Sequence, residues 1–325
     1  MNDSFGRVVD YLRISITDRC NERCLYCMPE GYKGWELQRD HLSAGEIIRV
    51  VRVAVGLGFR KFRLTGGEPL VRSDVVEMVR AMAAIPGLEC IGLSTNGTRL
   101  APAAQSLRDA GLRTVNISLD ALDPQIYRRI THGDVAAVLA GIRAAVAARF
   151  ERVKLNCVLM RGVNEQELWP LVLFAAEHGL PLRLIELMPL TRTDVLTEKN
   201  FLPLGEAMQI LGQRDELIPQ PDRKLGHGPA KYYLLQHTGA LVGFIGAMTN
   251  LHFCEACNKM RLTADGKIRP CLGNHGEIDL RATLRDSRDD GPLRAVLQEA
   301  LRVKPLEHQF RDQYSPGRPM TAIGG

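Results

Sequence analysis

The chain has 325 residues, of which 45% are hydrophobic and 24% charged, and its formal net charge is +5. This composition supports a sizeable core, and no apolar run approaches the ~18 residues that a membrane-spanning helix needs. Residues 1–10 lack the basic and apolar regions of a secretory signal, so we expect a cytoplasmic protein without a membrane partner. In that compartment, the eight cysteines are expected to bind metal and not to form disulfides.

Strand and helix patterns alternate over residues 11–187, which is typical of a parallel sheet. Six strands are predicted, at residues 11–17, 61–65, 90–95, 114–119, 153–159 and 182–187. Five helices are predicted between them, at residues 43–58, 74–84, 102–110, 135–149 and 165–178. Ser43 and Glu46 form a capping box for the first helix, whereas Pro170 weakens the prediction for the start of the fifth.

The number of strands decides the expected architecture. Six are too few to close an eight-stranded barrel, so we expect an α/β fold built as an open, partial (β/α)6 barrel of the TIM type. The barrel would span residues 1–195, and a C-terminal extension would span residues 196–325. Ligands should bind at the C-terminal ends of the strands. Residues 190–250 add little beyond a proline-rich stretch at 219–229, predicted as a surface loop with an exposed His227.

Three cysteines follow the first strand with the spacing C-x3-C-x2-C, namely Cys20, Cys24 and Cys27. Cubane iron–sulfur clusters usually take four thiolates, so three predict a cluster with one open iron that can bind a small chelating ligand. A partial zinc site is the alternative, although zinc sites usually show paired C-x2-C units and four ligands. The spacing resembles that of the radical S-adenosylmethionine superfamily.

A second set of three cysteines, Cys254, Cys257 and Cys271, lies beyond the repeat. The residues between them predict a β-hairpin with Asp265 and Gly266 at its turn. Because side chains alternate along a strand, Lys259 and Arg261 should point to the same face. Two cations beside a metal cluster suit a triphosphate, which an arginine can bind through two hydrogen bonds. A solvated basic hairpin on a structural zinc is the alternative.

Small and polar residues occur where the predicted strands end. Gly66 and Gly67 follow the second strand, and they would let the backbone approach a ligand closely and offer free N–H groups to it. Further candidates at strand ends are Ser94, Thr95, Asn96, Ser118, Asp120, Asn156 and Met188. Polar residues at such positions are often only helix caps, which is the alternative for Asn96 and Asp120.

Over essentially the whole chain, these motifs together with the terminal Ile323-Gly324-Gly325 resemble the GTP 3′,8-cyclase family of molybdenum cofactor biosynthesis. The resemblance implies two [4Fe–4S] clusters, of which the first would bind and cleave S-adenosylmethionine and the second would bind the guanine of GTP. The 5′-deoxyadenosyl radical would take a hydrogen atom from ribose C3′, and the carbon radical would attack guanine C8. An electron donor would be needed, and the product would pass to the cyclic pyranopterin monophosphate synthase.

The resemblance also implies roles for individual residues. The ligands of the first cluster would be Cys20, Cys24 and Cys27, and those of the second Cys254, Cys257 and Cys271. Contacts to S-adenosylmethionine fall on Tyr26, Gly67, Ser118 and Met188. Contacts to GTP fall on Arg13, Arg63, Ser94, Thr95, Lys154, Arg183, Lys259, Met260 and Arg261. Catalytic roles fall on Arg13, Lys154, Gly324 and Gly325.

The last two residues would form a tail that enters the active site. We expect the cations around Arg13, Arg63 and Lys154 to hold this tail, because ordering it forfeits backbone entropy. A frayed terminus is the alternative.

Two rival classes of protein remain open. The nearer is another radical S-adenosylmethionine enzyme with an auxiliary cluster, such as a peptide-modifying maturase, which usually carries a longer C-terminal cysteine array. The farther is a zinc-stabilised nucleic-acid-binding protein, which would need base-stacking aromatic residues. Aromatic residues are 6% of the chain and scattered, so we expect no nucleic-acid partner. The oligomeric state is left open between monomer and homodimer.

Overall fold

The computed structural model describes residues 1–28, 41–190, 197–312 and 314–324. Twelve strands form one sheet in this part of the chain, in the order β12-β11-β10-β1-β2-β3-β4-β5-β6-β9-β8-β7. The strands are β1 Tyr11–Ser15, β2 Lys61–Thr65, β3 Cys90–Thr95, β4 Thr114–Ser118, β5 Arg152–Leu159, β6 Leu182–Glu186, β7 Leu217–Gln220, β8 Lys231–Leu235, β9 Leu241–Ile245, β10 Lys259–Leu262, β11 Lys267–Arg269 and β12 Ile278–Asp279.

Strands β1 to β6 lie side by side in chain order, and each pairs in parallel with the next. The sheet does not close on itself, so the expected α/β partial barrel with six β/α units is confirmed. All six predicted strands are present, and their ends differ from the prediction by no more than a few residues. Parallel strands end at the same edge, which brings the predicted site residues together.

Ten helices are described: α1 Ala44–Gly56, α2 Val75–Ala83, α3 Ala104–Asp109, α4 Pro124–Thr131, α5 Val135–Ala147, α6 Leu168–Glu177, α7 Leu204–Gly212, α8 Arg281–Asp286, α9 Asp290–Arg302 and α10 Met320–Ile323. The capping box of Ser43 and Glu46 is confirmed at the start of α1. A short 3-10 turn precedes α6, so Pro170 falls in the first turn of that helix, where no N–H is missed.

Helix α4 was absent from the sequence-based prediction. Asp123 caps it by accepting from the N–H groups of Gln125 and Ile126, and Pro124 occupies its first position. It has only eight residues and lies between β4 and α5, and α5 corresponds to the helix predicted at residues 135–149.

The C-terminal residues extend the barrel sheet at both edges. Strand β10 pairs in parallel with β1, and β9 pairs in parallel with β6. Antiparallel partners follow outside each of them, β11 and β12 on one side and β8 and β7 on the other. The division at residue 195 stays a prediction, and the sheet pairing runs across it. Residues 197–250, which gave little information as sequence, supply α7 and three strands.

The apolar core lies between the sheet and the helices, and a second, smaller core sits near the strand ends. Leu190, Ala247, Phe310 and Tyr314 form the smaller core, and Met188 packs against it. Among the described residues, no single helix is long and apolar enough to cross a membrane, although the bent pair α4 and α5 meets that test jointly.

Candidate active site

A cavity of about 590 Å³ at the C-terminal ends of the strands is lined by both cysteine sets. The predicted residues that line it are Arg13, Cys20, Cys24, Tyr26, Cys27, Arg63, Gly67, Ser94, Thr95, Ser118, Lys154, Arg183, Met188, Cys254, Cys257, Lys259, Arg261 and Cys271. Met260 is an exception, because its side chain is fully buried in the apolar core and faces away from Lys259 and Arg261. Its side chain therefore cannot contact GTP, and the predicted binding of GTP by Met260 is left to its backbone groups.

The first cysteine set lies on the loop that follows β1. Cys24 closes a tight turn, since its carbonyl accepts from the N–H groups of Cys27 (3.0 Å) and Met28 (2.9 Å). Burial raises the pKa of the Cys20 and Cys27 thiols to about 12. Binding of iron would therefore have to displace a proton from each thiol.

Gly66 and Gly67 fit against this loop from β2. A Cβ at Gly66 would lie 2.2 Å from the carbonyl oxygen of Thr17, and one at Gly67 would lie 2.2 Å from that of Arg19. The expectation of free N–H groups is wrong for Gly67, because its N–H donates to Thr17 at 2.8 Å, and the next N–H along the chain, that of Glu68, donates to Arg19 at 2.8 Å. The two glycines thus position the cysteine loop, and the ammonium of a ligand would need their carbonyl oxygens.

Three buried carboxylates stand beside the first cysteine set, and the sequence did not identify them as a group. Burial raises the pKa of Glu22 to about 8, that of Glu68 to about 7 and that of Asp120 to about 6. Asp120 accepts from the hydroxyl of Tyr26 at 2.7 Å and from the N–H of Val158 at 2.8 Å, so it is not a helix cap. This end of the cavity favours a positively charged ligand.

The opposite wall carries six cations, which we call the cation cluster: Arg13, Arg63, Lys154, Arg183, Lys259 and Arg261. Three of them form an arginine row across neighbouring strands, because Arg261 pairs in register with Arg13, and Arg13 with Arg63. Residues in register on parallel strands point to the same face of a sheet. The row therefore aims three guanidinium groups into one space.

The crowding of positive charges in the cation cluster helps to lower the pKa values of several of its members. Burial, together with the charges of Arg183 and Arg63, lowers the pKa of Lys154 to about 6. Burial and the neighbouring Arg13 lower the pKa of Arg261 to about 9. Burial also lowers the pKa of Lys259 to about 8. Such a group of like charges is stabilised by a bound polyanion.

Side chains and loop carbonyls hold the cation cluster in place. Arg63 donates to Tyr11, to the carbonyl of Leu93 and to Thr114, at 2.6, 2.6 and 2.9 Å. Gly92 leaves room for it, since a Cβ there would lie 2.5 Å from the Arg63 guanidinium.

Two lysines of the cation cluster are held by the loop at residues 221–230. Lys154 donates to the carbonyl of Leu225 at 2.5 Å, and Lys259 donates to that of His227 at 2.8 Å. His227 is exposed, as predicted, and its ring edge faces Tyr11 with 6.1 Å between ring centroids. Nothing in the sequence indicated that this surface loop reaches the site, because its contacts use backbone oxygens.

Ser94 and Thr95 have different surroundings. The Thr95 hydroxyl donates to Glu68 at 2.7 Å. In contrast, the buried Ser94 hydroxyl has no hydrogen-bond partner in the described part of the chain, and neither has the side-chain oxygen of Asn116, its register partner. Both line the cavity, so Ser94 and not Thr95 offers a hydroxyl to a ligand.

The second cysteine set flanks the predicted hairpin, which is confirmed as β10 and β11 with Gly266 at a φ of +84° in the turn. The antiparallel pairing of Arg261 with Arg269 carries Cys271 back toward Cys257. Burial acts to raise the pKa of the Cys257 thiol, but the ammonium groups of Lys304 and Lys259 and the hydrogen bonds to the sulfur together outweigh it, so this pKa is lowered. Arg269 lies outside the cavity and pairs with Glu277 at 2.8 Å.

Neither cysteine set is arranged around a single ion. Across residues 1–28, 41–190, 197–312 and 314–324, no three His, Cys, Asp or Glu side chains converge closely enough to hold one metal. Tetrahedral zinc requires that convergence, with Zn–S distances of about 2.3 Å. Three thiols in each set are the donors that a cubane takes, because each thiolate there binds its own iron.

The C-terminal tail is ordered as far as Gly324, and Gly325 lies outside the described residues. Gly324 is buried with a φ of +83°, and its carbonyl oxygen accepts from the guanidinium of Arg261. A Cβ at Gly324 would lie 2.8 Å from Thr65 and 3.1 Å from Ser15. Gly324 is therefore packed and not frayed, and Arg261 holds its carbonyl oxygen, whereas the expected contacts of the tail to Arg13, Arg63 and Lys154 stay a prediction.

Comparison with known proteins agrees with this geometry. The Radical SAM superfamily model matches residues 14–175, and the Molybdenum Cofactor Synthesis C model matches residues 180–310. The chain is 46% identical over 326 residues to the GTP 3′,8-cyclase of Moorella thermoacetica, with 100% of both chains covered. It is 44% identical over 311 residues to GTP 3′,8-cyclase 1 of Pseudomonas aeruginosa, over 95% of this chain and 93% of that one.

A solved structure extends the comparison to the fold. SuiB of Streptococcus suis bound to S-adenosylmethionine matches 89% of this chain and 68% of its own, with a TM-score of 0.60 at 15% identity. At this identity the likeness shows the fold alone. The GTP 3′,8-cyclases that match the chain over its full length show its family as well as its fold. The chain therefore belongs to the GTP 3′,8-cyclase family within the radical S-adenosylmethionine superfamily.

Proposed function

We propose that the protein cyclises GTP to (8S)-3′,8-cyclo-7,8-dihydroguanosine 5′-triphosphate, the first step of molybdenum cofactor biosynthesis, in a reaction that consumes S-adenosylmethionine. One observation carries the proposal: a single cavity is lined by two three-cysteine sets and by a cation cluster. The full-length identity with GTP 3′,8-cyclases supports the same reaction.

Each cysteine set would hold one [4Fe–4S] cluster through three thiolates and leave one iron open. When bound, the first cluster supplies the electron for reductive cleavage of S-adenosylmethionine, and the second offers its open iron to the guanine of GTP. The carboxylates Glu22, Glu68 and Asp120 favour the positive charges of S-adenosylmethionine at their end of the cavity. Tyr26, Gly67, Ser118 and Met188 would contact that molecule.

The triphosphate of GTP would bind the cation cluster. Arg13, Arg63 and Arg261 face one space, and guanidinium groups bind phosphate oxygens through paired hydrogen bonds. Lys154 and Lys259 would exchange loop carbonyls for phosphate oxygens, while Arg183 remains tied to Asn156 at 2.8 Å.

Buried polar groups and the tail would complete the GTP site. The hydroxyl of Ser94 and the amide of Asn116 are free to bind the nucleotide, since both line the cavity with an unpartnered oxygen among the described residues. Gly324, held on Arg261, would bring the tail close to a nucleotide bound at that arginine.

The protein would also need partners outside the chain. We infer an electron donor for the first cluster and transfer of the product to the cyclic pyranopterin monophosphate synthase. Neither a nucleic acid nor a membrane is required by this reaction. The oligomeric state stays open between a monomer and a homodimer.

Anaerobic incubation with GTP deuterated at ribose C3′, S-adenosylmethionine and dithionite tests the proposal. The expected result is the cyclised nucleotide together with 5′-deoxyadenosine that carries one deuterium. Cleavage of S-adenosylmethionine with GTP left intact would contradict the proposal. Turnover of a peptide substrate under the same conditions would favour the maturase alternative.

The two cysteine sets predict about eight irons per chain after anaerobic reconstitution. Cys24→Ala should abolish cleavage of S-adenosylmethionine, because it removes a ligand of the first cluster. Cys257→Ala should retain some uncoupled cleavage but stop turnover of GTP. Iron content and 5′-deoxyadenosine release measure both effects, and fully active protein with only four irons would contradict the assignment.

Arg261→Ala should weaken GTP binding by about one to two orders of magnitude, because a lost charge-assisted hydrogen bond costs about 1.5–3 kcal/mol. Binding of S-adenosylmethionine should hardly change. Lys267→Met is the matched control, since it removes a cation from the same hairpin but outside the cavity. Equal loss of affinity for guanosine and GTP in a titration would rule out a phosphate role for Arg261.

GTP binding near pH 8 should be accompanied by proton uptake. Lys154, with a pKa of about 6, and Lys259, with a pKa of about 8, are wholly or partly neutral there, and a bound triphosphate raises both pKa values. The phosphates themselves are already ionised at this pH, since their last pKa is about 6.

Isothermal titration calorimetry near pH 8 in HEPES and Tris buffers measures this uptake as a difference in binding enthalpy. Lys154→Met should reduce the difference, because it removes one of the two groups that gain a proton. Identical enthalpies in both buffers would show that neither lysine gains a proton.

Gly324→Ala should suppress formation of the cyclised nucleotide and leave both clusters and the fold intact. A Cβ at a φ of +83° is strained, and this one would also press on Thr65. Gly205→Ala, at a helical position with open space around it, should have no effect on turnover. Wild-type product yield from Gly324→Ala, measured alongside 5′-deoxyadenosine release, would show that the tail has no part in catalysis.

A further inference from the structure

Lys304 lies behind the second cysteine set, just after helix α9, and is 2% exposed. Its ammonium donates to the carbonyl of Pro270 at 2.7 Å, to that of Lys259 at 2.9 Å and to the Cys257 sulfur at 3.5 Å. These contacts use its three N–H donors. They tie together the residues beside Cys271 and Cys257.

Among the described residues, no carboxylate pairs with the ammonium of Lys304 to balance its charge. Within residues 1–28, 41–190, 197–312 and 314–324, its partners are two neutral carbonyls and one sulfur. A buried charge is strongly destabilising unless an opposite charge compensates it. The sulfur of Cys257 can supply that charge only as a thiolate, which is its state when bound to iron.

Arg7 also contacts the second cysteine set, but its charge is balanced differently from that of Lys304. It donates to the carbonyl of Cys254 at 3.1 Å, and Asp3 balances its charge at 2.6 Å. Arg7 therefore holds the backbone of the cysteine set and needs no anionic sulfur. Of these two buried cations, Lys304 is the one that bonds a cysteine sulfur.

We propose that Lys304 is a positioning residue that tunes the second cluster through a charged hydrogen bond to the Cys257 sulfur. The inference rests on the proposed function, in which Cys254, Cys257 and Cys271 hold a [4Fe–4S] cluster. A cation donating to a ligand sulfur stabilises the reduced, more negative cluster and so raises its reduction potential. It also withdraws charge from the thiolate, which makes the open iron a better acceptor for a nitrogen or oxygen ligand.

The test uses the full chain with Cys20, Cys24 and Cys27 changed to Ala, so that only the second cluster is present. Lys304→Met is compared in this background with Arg302→Met, which removes an exposed cation two residues away on α9. Redox titration followed by EPR gives the midpoint potential. Electron–nuclear double resonance in H2O and D2O detects an exchangeable proton bonded to a cluster sulfur.

Lys304→Met should shift the potential to more negative values and abolish the exchangeable-proton coupling, whereas Arg302→Met should leave both unchanged. A Lys304→Met chain with full iron, an unshifted potential and an intact coupling would overturn the inference while the proposed function stands. A parent chain that binds no iron would overturn the proposed second cluster and the inference with it.

Loss of the cluster in Lys304→Met is also decisive. Lys304→Arg restores the cation but not the shape of the side chain. Recovery of the cluster in Lys304→Arg would support a requirement for charge at this sulfur. Loss in both variants would overturn the inference, because packing and not charge would then explain the effect.

Discussion

Three arginines aimed into one space are the constraint on which the rest of the site depends. Like charges in register on neighbouring strands repel each other, and burial adds a desolvation cost. Neighbouring groups hold two of the three guanidinium groups in this arrangement, Tyr11 and Thr114 that of Arg63, and the carbonyl of Gly324 that of Arg261. A bound polyanion relieves this repulsion, so the crowded positive charges favour binding of a triphosphate.

Carboxylates lie beside the first cysteine set and the cation cluster lies elsewhere in the cavity, so the two regions favour molecules of opposite charge. Buried carboxylates with raised pKa values stand beside the first cysteine set, where a sulfonium and an ammonium would lie. The cation cluster extends from the arginine row toward the second cysteine set, where a triphosphate would lie. Groups that favour opposite charges at the two ends would orient both molecules before any chemistry occurs, which is the contribution a protein makes when cofactors supply the reactive groups.

The sequence predicted the parts that depend on local pattern and missed those that depend on distant pairing. Strand periodicity predicted β1 to β6, and cysteine spacing identified both cysteine sets. The side-chain period of two correctly predicted that Lys259 and Arg261 lie on one face of their strand. It could not show that β10 lies beside β1, because parallel pairing over such a separation leaves no local signal. The loop carbonyls on Lys154 and Lys259 were missed because any residue can supply a carbonyl. Motif resemblance assigned Met260 to the ligand, whereas the same period of two turns its side chain into the core.

The central claim is that the cation cluster and the second iron–sulfur cluster hold the same molecule of GTP. Electron–nuclear double resonance of the reduced second cluster, with GTP labelled with 15N in the guanine base, tests it most directly. We expect a 15N coupling that appears on addition of labelled GTP and is absent with ATP labelled in its adenine. Tight binding of GTP with no coupling to the cluster would show that the triphosphate site and the second cysteine set act on different ligands, which would contradict a shared GTP site.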